Sequence, residues 1–132
     1  MILGIDHVGI AVRSHDAART FETLLGASST APEAVPAQAV RVCFVPEPRP
    51  NLELLVPDSA DASVARFVER RGEGLHHVCF AVDDLPAELA RLTAAGFEPI
   101  DATPREGHGG LVAFLHPRST HGVLVELLQR RP

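Results

Sequence analysis

The chain writes one strand pattern twice, 70 residues apart. IDHVGIAVRSH at residues 5–15 and GLHHVCFAVDD at residues 74–84 superimpose His7 on His77, Val8 on Val78, Ala11 on Ala81 and Val12 on Val82. Apolar strand positions repeat easily by chance. A histidine at the same register inside an apolar run does not. A period of this length divides the chain into two copies of one supersecondary unit, which fixes the architecture before any single element is assigned.

The remaining signals follow the same order in both halves. Residues 5–12 alternate as a strand, with His7, Gly9 and Ala11 on one face. Ser14 or Asp16 caps a following helix, AARTFETLLG, in which Ala18, Phe21, Leu24 and Leu25 form the apolar face and Gly26 ends the helix. Residues 28–36 read as an irregular strand or loop, residues 40–45 as a strand, PEPRPN as a turn and residues 52–56 as a strand. The segment 61–71 reads as a helical connector with Val64, Phe67 and Val68 inward.

The second pass begins with a strand at 75–82. Asp84 then caps a helix with Pro86 in its first turn and Leu85, Leu89 and Leu92 as its buried stripe, closed by Gly96. A short strand at 97–100, a flexible glycine-rich EGHGG loop and strands at 111–116 and 122–128 follow. The expectation is an α+β fold of two tandem βαβββ modules forming a pseudo-twofold open barrel. It is a single domain over 1–132, with module 1 at about 1–58, a linker helix at about 59–73 and module 2 at about 74–132.

Composition narrows the chemistry. All 12 basic residues are arginine, so neither Schiff-base nor P-loop chemistry has its lysine. Tyrosine and tryptophan are absent, and the net charge of −5 argues against a nucleic-acid surface. No apolar run is long enough to span a membrane, and the N-terminal residues carry no secretory pattern, so a cytoplasmic location is expected. Cys43 and Cys79 each sit in an apolar run and read as buried small hydrophobes rather than a disulfide.

What remains for function is His, Asp, Glu, Ser, Thr, Cys and any metal they hold. FVPEPRPNLELL aligns with FLHPRSTHGVLVELL once three residues are added to the second turn, so both copies end in Glu-Leu-Leu, at Glu53 and Glu126. The histidine-to-glutamate separation is 46 residues in the first copy (53 − 7) and 49 in the second (126 − 77). A lone strand histidine or a glutamate flanked by leucines is ordinarily structural. The joint recurrence of both residue types points to one site in which His7, Glu53, His77 and Glu126 hold a divalent ion. Two imidazoles with two carboxylates suit Co²⁺, Ni²⁺, Mn²⁺, Fe²⁺ or Zn²⁺. Gly9, Ala11, Cys79 and Ala81 share the ligand faces and leave room for a substrate, with Cys79 as a pocket wall.

On these residues the chain resembles the vicinal oxygen chelate superfamily, which includes glyoxalase I and extradiol dioxygenases. RRGEGLHHVCFAVDD, GLVAFLHPRSTHGVLVELL and NLELLVPDSADASVARFVERRG are similar to the methylmalonyl-CoA epimerase family, a likeness that runs through nearly the whole chain. The resemblance implies a Co²⁺-type ion on His7, Glu53, His77 and Glu126, an acyl-CoA substrate chelating it, Glu126 as an acid/base group and a homodimer. Where that family carries a second base, in a Pro-Glu-Gln-Gly-Val-like stretch, this chain reads PAQAV, with Ala37 in place of the glutamate. Glu33, Glu47 and His108 are the conceivable substitutes. Arg105 and Arg118 are candidates for the CoA phosphates. Two alternatives stay open: a glyoxalase-I-type lyase with the same ligand types, and a non-catalytic small-molecule-binding resistance protein. An extradiol dioxygenase would use only three protein ligands and leave one glutamate unexplained.

Overall fold

The structure is a computed structural model and describes residues 1–45 and 51–132. It is α+β, with eight strands and three α-helices among the described residues. Two compact units emerge: His7–His76, and Met1–Asp6 together with His77–Pro132.

In the first unit the strand order is β2 (Glu33–Val35), β3 (Val40–Val45), β4 (Leu52–Pro57), β1 (Ile2–Ala11). β4 lies parallel to β1 and antiparallel to β3. One face of this sheet is covered by α1 (Ala18–Leu25), through Ala18 and Phe21 against Cys43, Leu54 and Val12. The other face is capped at one end by α2 (Ser63–Arg71), whose Val64 and Val68 pack with Val42, Leu55 and Ala11. The connector expected at 61–71 is therefore a helix, with Phe67 packed at the margin of that cluster.

The capping signals act as anticipated, with one shift. The Ser14 hydroxyl accepts from the Asp16 amide at 3.2 Å, but the turn it caps is a 3-10 turn at His15–Ala17, so α1 starts at Ala18. Gly26 closes α1 with φ of 63°. The apolar face of α1 is narrower than expected. Leu24 lies about 100° around the helix from Leu25, and these two are 73% and 44% exposed.

The second unit repeats the arrangement in the order β5 (Gly74–Val82), β8 (Val125–Arg130), β7 (Gly110–Leu115), β6 (Arg105–Gly107). α3 (Leu85–Ala94) covers one face with Leu85, Leu89 and Leu92. The Asp84 carboxylate caps α3 by accepting from the Ala87 amide at 3.1 Å.

Three expectations need correction here. Residues 97–100 form no strand. Pro99, lacking an N–H, makes a single bridge to Leu115, and the edge strand is Arg105–Gly107 instead. EGHGG is no flexible loop but a hairpin in which Gly107 pairs with Gly110 and only His108 and Gly109 turn. The last strand begins at Val125, because His121 and Gly122 take φ of 55° and 87° and turn the chain before it.

A further strained position ends the β2–β3 turn. Ala39 has φ of 53°, held there by its amide donating to Pro36 O at 3.1 Å and its carbonyl accepting from Asp58 N at 2.8 Å. A left-handed conformation costs a residue with a Cβ about 1 kcal/mol. Ala39→Gly is therefore expected to raise unfolding stability by about 1 kcal/mol in urea melts. An unchanged or lowered midpoint would show that the turn relaxes elsewhere.

Candidate functional site

The site residues are placed by strand register. In the first unit β1 and β4 run parallel with Gly9 beside Glu53. His7 precedes Gly9 by two residues, so it shares the face of Gly9 and of Glu53. The imidazole and carboxylate meet on that face, with His7 Nε2 3.5 Å from Glu53 Oε1. In the second unit β5 and β8 run parallel with Cys79 beside Glu126, and His77 precedes Cys79 by two. His77 Nε2 lies 3.2 Å from Glu126 Oε1. The same sequence offset produces the same geometry twice.

All four side chains are buried, His7 and His77 to 4% exposure and Glu53 and Glu126 to 6%. Burying an imidazole and a carboxylate is costly unless they meet a partner of opposite character. Each pair also fits a metal. Two donor atoms about 2.1 Å from one ion, at right-angled to tetrahedral separation, lie roughly 3.0–3.4 Å apart. The observed 3.2 Å falls inside that spacing and 3.5 Å just beyond it, so each unit presents two donors suited to a divalent cation.

A matched pair of aromatic rings orients the histidines. Phe44 on β3 stands opposite Glu53 and meets the His7 ring edge-to-face, with centroids 5.8 Å apart at 86°. Phe114 on β7 stands opposite Glu126 and meets His77 in the same way, at 6.0 Å and 83°. Sequence reasoning passed over both. The offset of 70 that aligns His7 with His77 also aligns Phe44 with Phe114 and would have found them.

The remaining candidates are distributed as follows. Cys79 is fully buried on the face of His77 and Glu126, packed with Val112 and Leu128. Cys43 faces α1, away from Glu53, and burial pushes its thiol up from the ordinary value. Both cysteines are free. Glu33 is exposed on the edge strand β2, and Glu47 lies outside the described residues. Ala37 is exposed in the 3-10 turn before β3. His108, at the tip of the β6–β7 hairpin, is half-buried and lies beyond Arg130 along β8, not beside Glu126. Arg105 Nε lies 3.3 Å from Asp101, and Arg118 makes two 2.8 Å hydrogen bonds to Glu98.

With this geometry in place, comparison with known proteins is decisive at the family level. Residues 6–114 match the model of the Glyoxalase/Bleomycin resistance protein/Dioxygenase superfamily. The chain belongs to that superfamily. The uncharacterized protein YqjC of Bacillus subtilis (strain 168) is 42% identical over 127 residues, covering 95% of this chain and 91% of that protein. The ethylmalonyl-CoA/methylmalonyl-CoA epimerase of Cereibacter sphaeroides is 39% identical over 133 residues, covering 98% and 99%. A variant of the Streptomyces coelicolor methylmalonyl-CoA epimerase, solved in complex with 2-nitronate-propionyl-CoA, aligns with a TM-score of 0.91 at 31% identity over 100% of both chains. Within the superfamily this chain is most like the methylmalonyl-CoA epimerases, and it is an epimerase-like enzyme.

The Glu98–Arg118 pair has a measurable signature. Hydrogen bonds from Arg118, reinforced by its charge and that of His116, hold the Glu98 carboxyl below the ordinary carboxylate value. A depressed carboxylate contributes stability above its unfolded value and loses it as pH falls through the folded one. In Arg118→Ala the Glu98 midpoint, followed by carboxyl NMR, is expected to rise back into the usual range. A midpoint that does not move would mean that the guanidinium is not engaged with Glu98 in solution.

Proposed function

We propose that the protein is a metal-dependent epimerase of methylmalonyl-CoA or a similar 2-substituted malonyl thioester. The observation that carries this reading is the pair of buried His–Glu couples, set at one register in two copies. The names of the relatives supply the substrate class. His7, Glu53, His77 and Glu126 would jointly hold the ion, with Co²⁺ the best match and Ni²⁺, Mn²⁺, Zn²⁺ and Fe²⁺ compatible with the donor set. When bound, such an ion acts as a Lewis acid on a substrate carbonyl oxygen.

The chain's own residues do the rest. Glu126 takes the C2 proton as the C–H electron pair passes into the adjacent thioester carbonyl. A proton returned to the opposite face of C2 inverts the centre, so a second group is required. The methyl of Ala37 cannot serve. The absence of a side chain at Gly9, on the face of His7, leaves space beside the ligands, and Cys79 forms part of the wall. Arg118 is proposed to meet the CoA phosphates by exchanging Glu98, an exposed pair worth roughly 0–1 kcal/mol, and Arg105 by leaving its half-buried contact with Asp101. A cytoplasmic homodimer completes the proposal. Leu3 and Ile5, exposed on β1, offer apolar surface for a second copy to cover.

Two measurements test the reading. Protein stripped with a chelator and titrated with Co²⁺ is expected to bind one ion per chain and to gain thermal stability. His77→Ala should weaken binding by 10-fold or more, taking the loss of a ligand to cost at least the roughly 10–100-fold of a second-shell loss. Reconstituted protein in D₂O with either epimer of methylmalonyl-CoA should place deuterium at C2 with inversion. Absence of exchange, with turnover of a methylglyoxal–thiol adduct instead, would assign the protein to the glyoxalase type.

A further inference from the structure

We infer that His108 supplies the second proton-transferring group of the epimerisation, an assignment that rests on the function proposed above. The duplication of the module points to it. Each copy closes a hairpin just ahead of the strand that carries the phenylalanine. In the first, Val35 pairs with Val40 and Pro36–Ala39 make the turn. In the second, Gly107 pairs with Gly110 and His108–Gly109 make it. The correspondence continues down both sheets, with Val42 beside Leu55 and Phe44 beside Glu53, as Val112 is beside Leu128 and Phe114 beside Glu126. Both turns end on a residue of positive φ, Ala39 at 53° and Gly109 at 85°. Equivalent turns thus occupy equivalent places relative to the two glutamates. The first holds Pro, Ala, Gln and Ala, none of which exchanges a proton near neutral pH. The second presents an imidazole, the side chain most often used as a general acid and base.

The second turn is also built to hold its tip in place. A Cβ on Gly110 would come 2.1 Å from the Gln129 carbonyl oxygen, so the hairpin lies at backbone contact with β8, and one on Gly107 would come 2.8 Å from Cγ1 of Val112 across the hairpin. The Arg131 amide donates to Gly109 O at 2.9 Å, and its guanidinium binds Glu106 at 2.7 Å. Arg130, paired with Gly110, grips Asp6 through two hydrogen bonds of 2.9 and 2.8 Å. A proton-transferring group needs such fixed support. The base of the turn, Gly110, lies four residues along β8 from Glu126, roughly 13 Å, and the substrate carbon would lie between the two groups. Glu33 has no such setting, being exposed on an edge strand.

The experiment offers each epimer of methylmalonyl-CoA separately, in D₂O, to Co²⁺-loaded wild type, His108→Ala and His108→Gln. In both variants inversion should fall by about 100-fold or more. One epimer, whose C2–H faces Glu126, should still gain deuterium with retention, while the other becomes inert. Added imidazole should restore part of the inversion to His108→Ala. In wild type, the His108 ring resonances should shift when 2-nitronate-propionyl-CoA is added. Unchanged inversion in folded variants overturns the assignment, as does equal loss of exchange for both epimers with Co²⁺ binding intact, or a His108 resonance that does not move. Absence of exchange in wild type itself would instead overturn the epimerase reading.

Discussion

The parallel pairing of the first and last strands of each copy governs everything else. In βαβββ order the fourth strand returns beside the first and in the same direction, so a histidine midway along one and a glutamate at the start of the other become neighbours. Register does the chemistry. A slip of one residue would turn Glu53 to the α1 side and bring Leu52 or Leu54 to the place beside His7. The leucines on either side of each glutamate prevent this. Leu54 is buried under α1 and Leu127 under α3, and exposing either would forfeit on the order of 2 kcal/mol of apolar burial. The hydrophobic pattern of NLELL and VELL thus fixes where two carboxylates point.

The two faces of each sheet divide the labour. The faces covered by α1 and α3 are mainly apolar and hold the fold together, through α1 on Cys43 and Leu54 and α3 on Ala113, Val125 and Leu127. The opposite faces carry the buried imidazole–carboxylate couples, whose desolvation is offset by the ring edges of Phe44 and Phe114 and by each couple's own contact. The copies are not identical there. α2 lays Val64 and Val68 over the Val42–Leu55 end of the first, whereas in the second the corresponding Val112 and Leu128 pack with Cys79, at the position where the first copy has Gly9. The duplication conserves the couples and lets the surroundings diverge.

Most of this was legible in the sequence because the relevant signals are local and doubled. Ser14, Gly26, Asp84 and the Leu85–Leu89–Leu92 stripe act where capping and periodicity put them, and the repeat alone pairs each histidine with its glutamate. What escaped depends on contacts between segments. Glycines in EGHGG read as freedom, yet Gly110 is required because a carbonyl from β8 occupies the space of its side chain. Residues 97–100 look extended, but Pro99 leaves only one bridge, and the chain finds its edge pairing six residues later. Leu24 belongs to an apolar pattern too short to wrap around a helix of eight residues, so it faces water.

The divergence between the copies has a chemical logic. A cation accepts equivalent donors, so a duplicated module can supply the same two ligands twice and gain from the repetition. A stereocentre places the opposite demand. Its inversion needs proton transfer on two faces, and two identical copies would offer two identical sets where one group on each side suffices. With the couples in place, only one hairpin turn needs to carry a proton-transferring residue, and on the assignment proposed above a chain with Ala37 in one and His108 in the other would retain a complete set. On the proposed function, duplication would supply the ligands by symmetry and leave the proton-transferring half free to settle in either copy.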